Sequence, residues 1–468
     1  MLGERKGKIE ICVQVHLDVA RAHLSARRDR QRTFFMLFLG MLAFKLACDG
    51  GFLWLTTQDV VSYPLRFSLG KYLFGFLCCF ALFFLMPHDG KRASSFFLYF
   101  VFLFQIVPIT ASYAFADRPT EYYFVLIAAY AFCILLTGYV GNKKQLQRAT
   151  VLSKTVAFGY AGIMLLVLLL LARRYGMPSL SALNIFNVYD LRGSGIFSLG
   201  KYENYLFTWT TAVILPAGIA LTLNKRKYIV ACILCGIMLL LYLYSAHKTF
   251  LFSIPLVVIC TLWSKRKHFY KELFTVLCFG YLLLVLLLWF SPILKDPIRQ
   301  AFSLLARRVM YVPANNKFHY FDYFTNHPQM GIGGIIPRWL FYVPNYYENI
   351  PYSYEISAIY YNLPEMNSNT GFLAEGYMRF GHIGTVGILL LFACILKLID
   401  RFQDRVGYSL AIGVFIYQIY SLADAHLLDS LVLGPWMMLL FILLFCGSTF
   451  RRQHRAGLQM KHFRLLKR

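Results

Sequence analysis

Apolar runs of membrane-crossing length alternate with short polar gaps along almost the whole chain, and the gaps are of two kinds. The runs fall at roughly 33–50, 72–87, 95–115, 121–141, 155–172, 204–223, 228–244, 250–264, 273–294, 380–398, 407–423 and 431–448. About 20 apolar residues span the hydrocarbon core of a bilayer. In lipid such a run must be helical, because only a helix pairs its own backbone groups. Every second gap carries basic residues: HDGKRAS, GNKKQLQRATVLSK, NKRK, SKRKHFYKE and DRFQDR. Basic loops stay on the cytoplasmic side and set the orientation of each span. The pattern predicts an all-α integral membrane protein of about 12 transmembrane helices with both termini cytoplasmic. A basic N-terminus (1–32) precedes the polytopic domain (33–448), and a basic tail (449–468) follows it. Lys45 and Asp49 interrupt the first span.

Composition supports the reading. Of the 468 residues 58% are hydrophobic, far above a soluble domain of this length. The formal charge of +25 suggests nucleic acid at first sight, but 31 of the 47 Lys and Arg fall in the cytoplasmic segments. The charge is therefore a topology signal directed at lipid headgroups, and no nucleic-acid partner is expected. The first 32 residues lack the early apolar core of a cleavable signal. Their stretch HLDVARAHLSARRDRQR could lie along a membrane surface as an amphipathic helix or simply anchor the inner side. The 11 cysteines avoid the large outer loops, so no disulfide framework is expected there.

Two outer loops interrupt the regular rhythm, one at about 173–203 and one at about 295–370. The second is the only large hydrophilic piece, with six basic residues (Lys295, Arg299, Arg307, Arg308, Lys317, Arg338) and five acidic ones (Asp296, Asp322, Glu348, Glu355, Glu365). It is crowded with Phe, Tyr and Trp between 310 and 361. Disordered segments are poor in aromatics, so an ordered loop is expected. Flat rings mixed with Asn, Asp and Arg suit sugars, whose apolar faces stack on rings while amides and carboxylates bond the hydroxyls. An interfacial aromatic belt would be spread over all loops, and here the rings are concentrated in one.

Three stretches stand in order on this outer side. The first is Arg192-Gly193-Ser194-Gly195-Ile196-Phe197, the second Asn326-His327-Pro328-Gln329-Met330-Gly331-Ile332-Gly333-Gly334. The third runs from Asn367-Ser368-Asn369-Thr370-Gly371 through Glu375-Gly376-Tyr377-Met378-Arg379-Phe380-Gly381-His382-Ile383-Gly384. Between the first two, Ser245-Ala246-His247-Lys248-Thr249 opens a span. In this order and topology they resemble the O-antigen polymerase and O-antigen ligase superfamily of bacterial inner membranes, over about 190–385. That family shows an Arg-x-Ser-Gly-x-Phe stretch, a Ser-Arg or Ser-Lys opening a span, a Pro-x-x-Gly-x-Gly stretch, and a His-Asn or similar pair ahead of Gly-x-x-Gly.

The resemblance implies a multi-span glycosyltransferase of the lipid-carrier type in the bacterial inner membrane. Its donor and acceptor would be glycans on undecaprenyl diphosphate, with neither a metal nor another cofactor, and a chain-length regulator protein is a partner often attributed to the family. A diphosphate leaving group needs cations where charge develops, and arginine's planar fork suits phosphate oxygens. Arg192, Arg307, Arg308 and Lys248 are the cations near span ends that fit this role. For the acceptor hydroxyl the candidate bases are Glu375, His319, His327 and Asp322. Glu375 lies in an apolar stretch, where an ionisable residue is a functional hypothesis, and Arg379 stands at i,i+4 from it as an intrahelical partner. Asn369 belongs to the final motif. The expected catalytic group is thus Glu375, Arg192 and Arg308, with Arg307, Lys248, His319, Asp322, His327, Asn369 and Arg379 as substrate-binding residues. Ser368 replaces the ligase histidine, which favours the polymerase, passing the growing chain to the next lipid-linked repeat. The ligase, which passes it to lipid A core, is the alternative. A transporter or flippase of the lipid-linked unit is the alternative of another class, and it lacks the internal repeat that transporters usually carry.

Overall fold

The computed structural model describes residues 2–58, 65–88, 90–138, 154–178, 199–291, 295–335, 343, 346–347, 351–432 and 434–437. These are helical throughout, apart from turns and one isolated bridge between Arg66 and Ala116. In chain order the helices are α1 (Leu2–Thr56), α2 (Leu69–Leu85), α3 (Ala93–Phe115), α4 (Thr120–Gly138), α5 (Lys154–Tyr175), α6 (Tyr202–Asn224) and α7 (Tyr228–Ser245). Then come α8 (Lys248–Trp263), α9 (Phe269–Phe290), α10 (295–326), α11 (Tyr352–Tyr361), α12 (Phe372–Val406), α13 (Tyr408–Ser421) and α14 (Leu427–Val432). Among the described residues eight helices are long and apolar enough to cross a membrane: residues 31–56 of α1, α3, α4, residues 158–175 of α5, α6, α7, α9 and α12. The chain is a multi-pass α-helical membrane protein.

Twelve spans were expected, and the difference has local causes. The segments at 72–87 and 250–264 appear as shorter apolar helices, α2 and α8. The segment at 407–423 is the 14-residue α13, buried along most of its length. The last segment, 431–448, lies mostly outside the described residues, as does the tail. The N-terminal stretch is no separate element, because α1 runs unbroken from Leu2 into the first span.

Two groups of turns gather at opposite ends of the helices, matching the two kinds of gap. At the basic end Arg92 pairs with Asp404 at 2.5 Å, and Gln403 donates to the Lys91 carbonyl at 2.8 Å. There too Lys265 donates to the Leu223 carbonyl at 3.0 Å. At the other end the Arg66 N–H donates to Phe115 O at 2.8 Å, and the Phe372 N–H to Leu422 O at 3.2 Å. Segments far apart in sequence thus meet as the alternation requires.

Within the expected outer loop at 295–370, residues 295–326 and 352–361 are helical. Residues 295–326 form one rod, α10, which is π-helical from Ser303 to Tyr311. Its second half is buried against α3 and α12. Tyr311 docks it on α1, donating to Cys48 O at 2.8 Å where a Cβ on Gly51 would come 2.3 Å from the Tyr311 hydroxyl. The widened turn has a sequence cause. α3 is π-helical at Phe102–Ile106 before Pro108, α6 at Thr210–Ile214 before Pro216, and α10 at Ser303–Tyr311 before Pro313. Proline removes one N–H and crowds the carbonyl four residues back, and a wider turn relieves both.

α12 breaks at Phe380 and Gly381 (φ 62°), which folds its first eight residues back on the rest. Gly376 and Gly384 meet at the fold. A Cβ on Gly376 would lie 2.4 Å from Gly384 O, and one on Gly384 would lie 2.0 Å from Gly376 O. Hence the glycines of that motif: one supplies a left-handed backbone and two permit a close crossing.

The interruption of the first span also resolves. Lys45 and Asp49, one turn apart, form a buried ion pair at 2.5 Å, with the ammonium 5.1 Å from the Tyr72 ring centroid. Removing one partner strands a buried charge, which costs about 3–5 kcal/mol, whereas replacing both by apolar residues is often neutral. Asp49→Leu is therefore expected to lower the thermal unfolding midpoint in detergent sharply, and Lys45→Met/Asp49→Leu to recover most of it. A double variant no more stable than the single one would contradict this.

Candidate functional site

The second half of α10, VPANNKFHYFDYFTN, is polar over most of its circumference, yet Pro313 to Phe321, Tyr323 and Phe324 are buried. Buried polar groups are stable only when paired, so each face of this rod collects partners from a different part of the chain.

One face carries Asn315, His319 and Asp322. Ser112 of α3 donates to Asn315 Oδ1 at 2.5 Å. Arg118, in the turn between α3 and α4, places Nη2 3.0 Å from His319 Nε2. A guanidinium can only donate, so His319 Nε2 accepts and its proton sits on Nδ1. That Nδ1 is buried without a partner among the described residues. The His319 ring stacks on Tyr360 at 4.4 Å between centroids, and Tyr360 donates to Asp322 Oδ2 at 2.5 Å. Burial, reinforced by the Arg118 charge, pushes His319 well below 6.5.

The next face carries Asn316, Tyr320 and Tyr323. Asn316 Nδ2 donates to Asn369 O at 2.6 Å and its Oδ1 accepts from Tyr361. Tyr320 donates to Ser368 O at 2.7 Å, and Tyr323 to Glu355 Oε2 at 2.5 Å. The Asn367–Thr370 stretch is thus laid along the rod by its backbone, leaving the Asn369 side chain exposed. His327 is exposed at the end of α10, stacked on Tyr323 at 4.0 Å, with Nδ1 2.8 Å from Tyr323 O.

Glu375 and Arg379 form a separate knot. Glu375 is wholly buried, and its carboxylate accepts from the N–H groups of Leu427 (2.5 Å) and Leu428 (3.1 Å), capping the first turn of α14. Arg379 donates to Glu375 at 3.3 Å, to Asp429 Oδ1 at 2.6 Å, and to the carbonyls of Gly331 (3.2 Å) and Gly333 (3.0 Å). The two glycine motifs of the sequence therefore meet through one guanidinium. His426 lies 2.9 Å from Asp429 Oδ2. Against burial, which would raise it, His426 and Arg379 hold Asp429 below the usual carboxylate range. Glu375, His426 and Asp429 could each turn one ligand atom to a metal ion within a 4.8 Å span. The Arg379 charge already occupies that position, so the knot is better described as a cation-centred clasp.

Arg307 and Arg308 are on the π-helical stretch, half-buried and exposed respectively. Lys248 is half-buried as the first residue of α8, after Ala246 in the left-handed conformation (φ 53°). Arg192 and its motif lie outside the described residues. Sequence reasoning passed over Arg118, Asn315, Asn316, Lys317, Asp424, His426 and Asp429. Lys317 and the polar run Ser421–Ser430 between two apolar segments were visible signals, but nothing local says that they converge on α10.

No protein-family model matches the chain, and neither a curated protein nor a solved structure does.

Because the folded His319 resists protonation, the unfolded chain binds more protons as pH falls below about 6.5. Stability is then lost on acidification, by at most about 1.4 kcal/mol per pH unit from this group. Thermal unfolding of wild type between pH 7 and 5 should fall more steeply than that of His319→Gln, and equal slopes would refute the assignment. Arg379→Met removes the cation that two carboxylates share and leaves the Gly331 and Gly333 carbonyls without that donor. It is expected to cost several kcal/mol, read as loss of monodisperse protein on size-exclusion chromatography.

Proposed function

We propose that the protein polymerises glycan repeat units carried on a polyprenyl diphosphate, transferring the growing chain to the next lipid-linked unit at the outer face of a bacterial inner membrane. The observation that carries the reading is the rod α10, a buried polar helix with Arg308 exposed on its π-helical stretch and neutral His319 with Tyr360, Tyr361 and Asp322 along it. Cations near a span end suit a diphosphate held at the membrane surface. Rings interleaved with amides and a carboxylate suit a pyranose chain. Both lie on the end of the helices opposite the basic turns, and under the positive-inside rule that end is outside. In this reading Arg308 and Arg307 face the diphosphate, the 352–370 segment meets the acceptor sugar, and Glu375 and Arg379 hold the Gly331–Gly333 turn and α14 in place.

The test is lipopolysaccharide extracted from a strain lacking the gene and resolved on a gel, after complementation with wild type or Arg308→Ala. The expected result is a core bearing a single repeat unit, with the ladder restored by wild type and not by the variant. A core without sugar, alongside accumulated long lipid-linked glycan, would mean a ligase instead. An unchanged ladder in the deletion strain would reject both for this polymer.

A further inference from the structure

The carboxylates around α10 are of two kinds. Glu375 is filled by backbone N–H groups and Arg379, Asp429 by Arg379 and His426, Asp322 by Tyr360, and Glu355 by Tyr323. Asp424 differs: its side chain is exposed and makes no hydrogen bond among the described residues. It is nevertheless held firmly in place. Asn316 fixes Asn369, and two residues on Gly371 runs against the turn at 422–423, where a Cβ would lie 2.2 Å from both the Leu422 and the Ala423 oxygens. The Phe372 N–H closes the contact on Leu422 O at 3.2 Å, and the Asp424 N–H donates to Ser421 O at 3.1 Å. This packing brings Asp424 within electrostatic range of Lys317 and Arg308 of α10.

Lys317 is equally unusual. It is fully buried, and its ammonium makes a single hydrogen bond, to Pro313 O at 3.1 Å. No carboxylate lies within 4.0 Å of it among the described residues. A buried ammonium with two idle donors is costly, and the facing carboxylate compensates it only across a gap. Burial lowers Lys317, with Asp424 opposing. Partial desolvation by the surrounding protein raises Asp424 toward about 6, with Lys317 and Arg308 opposing.

We propose that Asp424, with its carboxylate left open beside the buried Lys317, is the base of the glycosyl transfer, while Arg308 faces the departing diphosphate. The assignment rests on the function proposed above. In the step, the acceptor O–H bond breaks and its proton passes to the Asp424 carboxylate. The acceptor oxygen bonds to the anomeric carbon of the donor from the opposite side. The bond from that carbon to the diphosphate oxygen breaks, and its electron pair leaves with the lipid diphosphate toward Arg308. Asp424 then returns the proton to water. Lys317 is a positioning residue, acting through the carboxylate. Tyr420 also faces Asp424, and His426 and Asp429 follow on the same turn.

The test uses full-length protein in liposomes, with lipid-linked repeat units extracted from the deletion strain as substrate and polymer resolved by length. Asp424→Asn is expected to lower kcat by roughly 10²–10⁴-fold, the usual contribution of a general base. KM and the thermal unfolding midpoint should stay near wild type, and Asp424→Glu should keep part of the activity. Lys317→Met removes the charge that favours the ionised form, so the acid limb of the kcat profile should move to higher pH. Full turnover by Asp424→Asn, or an unmoved limb in Lys317→Met, overturns the assignment while leaving the function standing. Wild type that makes no polymer from these units overturns both.

Discussion

The structure depends on one constraint, the burial of a polar helix. The second half of α10 carries two amides, a lysine, a histidine and two phenolic groups into the helical bundle. In a low-dielectric interior each of these must be paired or become a liability. Ser112, Arg118, Tyr361 and the backbone of 368–369 are where they are because α10 needs them. The surrounding apolar helices make a wall, and the polar rod decides which loops are pinned to it.

A second constraint is close approach. The folded-back start of α12 is possible because Gly376 and Gly384 let backbones touch and Gly381 takes a left-handed conformation. That fold presents Arg379 to the Gly331–Gly333 turn and Glu375 to the start of α14. A residue that reads as a buried acid in the sequence is thereby spent on capping a helix. An unremarkable aspartate in a short turn, Asp424, is left with its carboxylate open. Burial and hydrogen-bond occupancy both distinguish the two: Glu375 is buried with its oxygens filled, and Asp424 is exposed.

The candidate site was legible in part. Arg308, His319, Asp322 and Asn369 stand on or against α10, and the motifs around 331–333 and 371–384 do meet. Lys248 opens a different helix, and Glu375 has its oxygens filled. The missed residues share a cause. Arg118, Lys317 and Asp424 come from three segments that no spacing rule connects, since the contact of Arg118 with His319 and the pairing of Asp424 with Lys317 depend on how α3, α10 and the turn after α13 pack.

The sequence by itself determined the helical class and the grouping of turns at two ends. These follow from local physics: hydropathy over about 20 residues and the sign of loop charge. Only the tertiary structure decided that the hydrophilic stretch after 294 begins as a helical rod whose second half is buried against α3 and α12. That packing rests on partners supplied by distant segments, which no local pattern encodes.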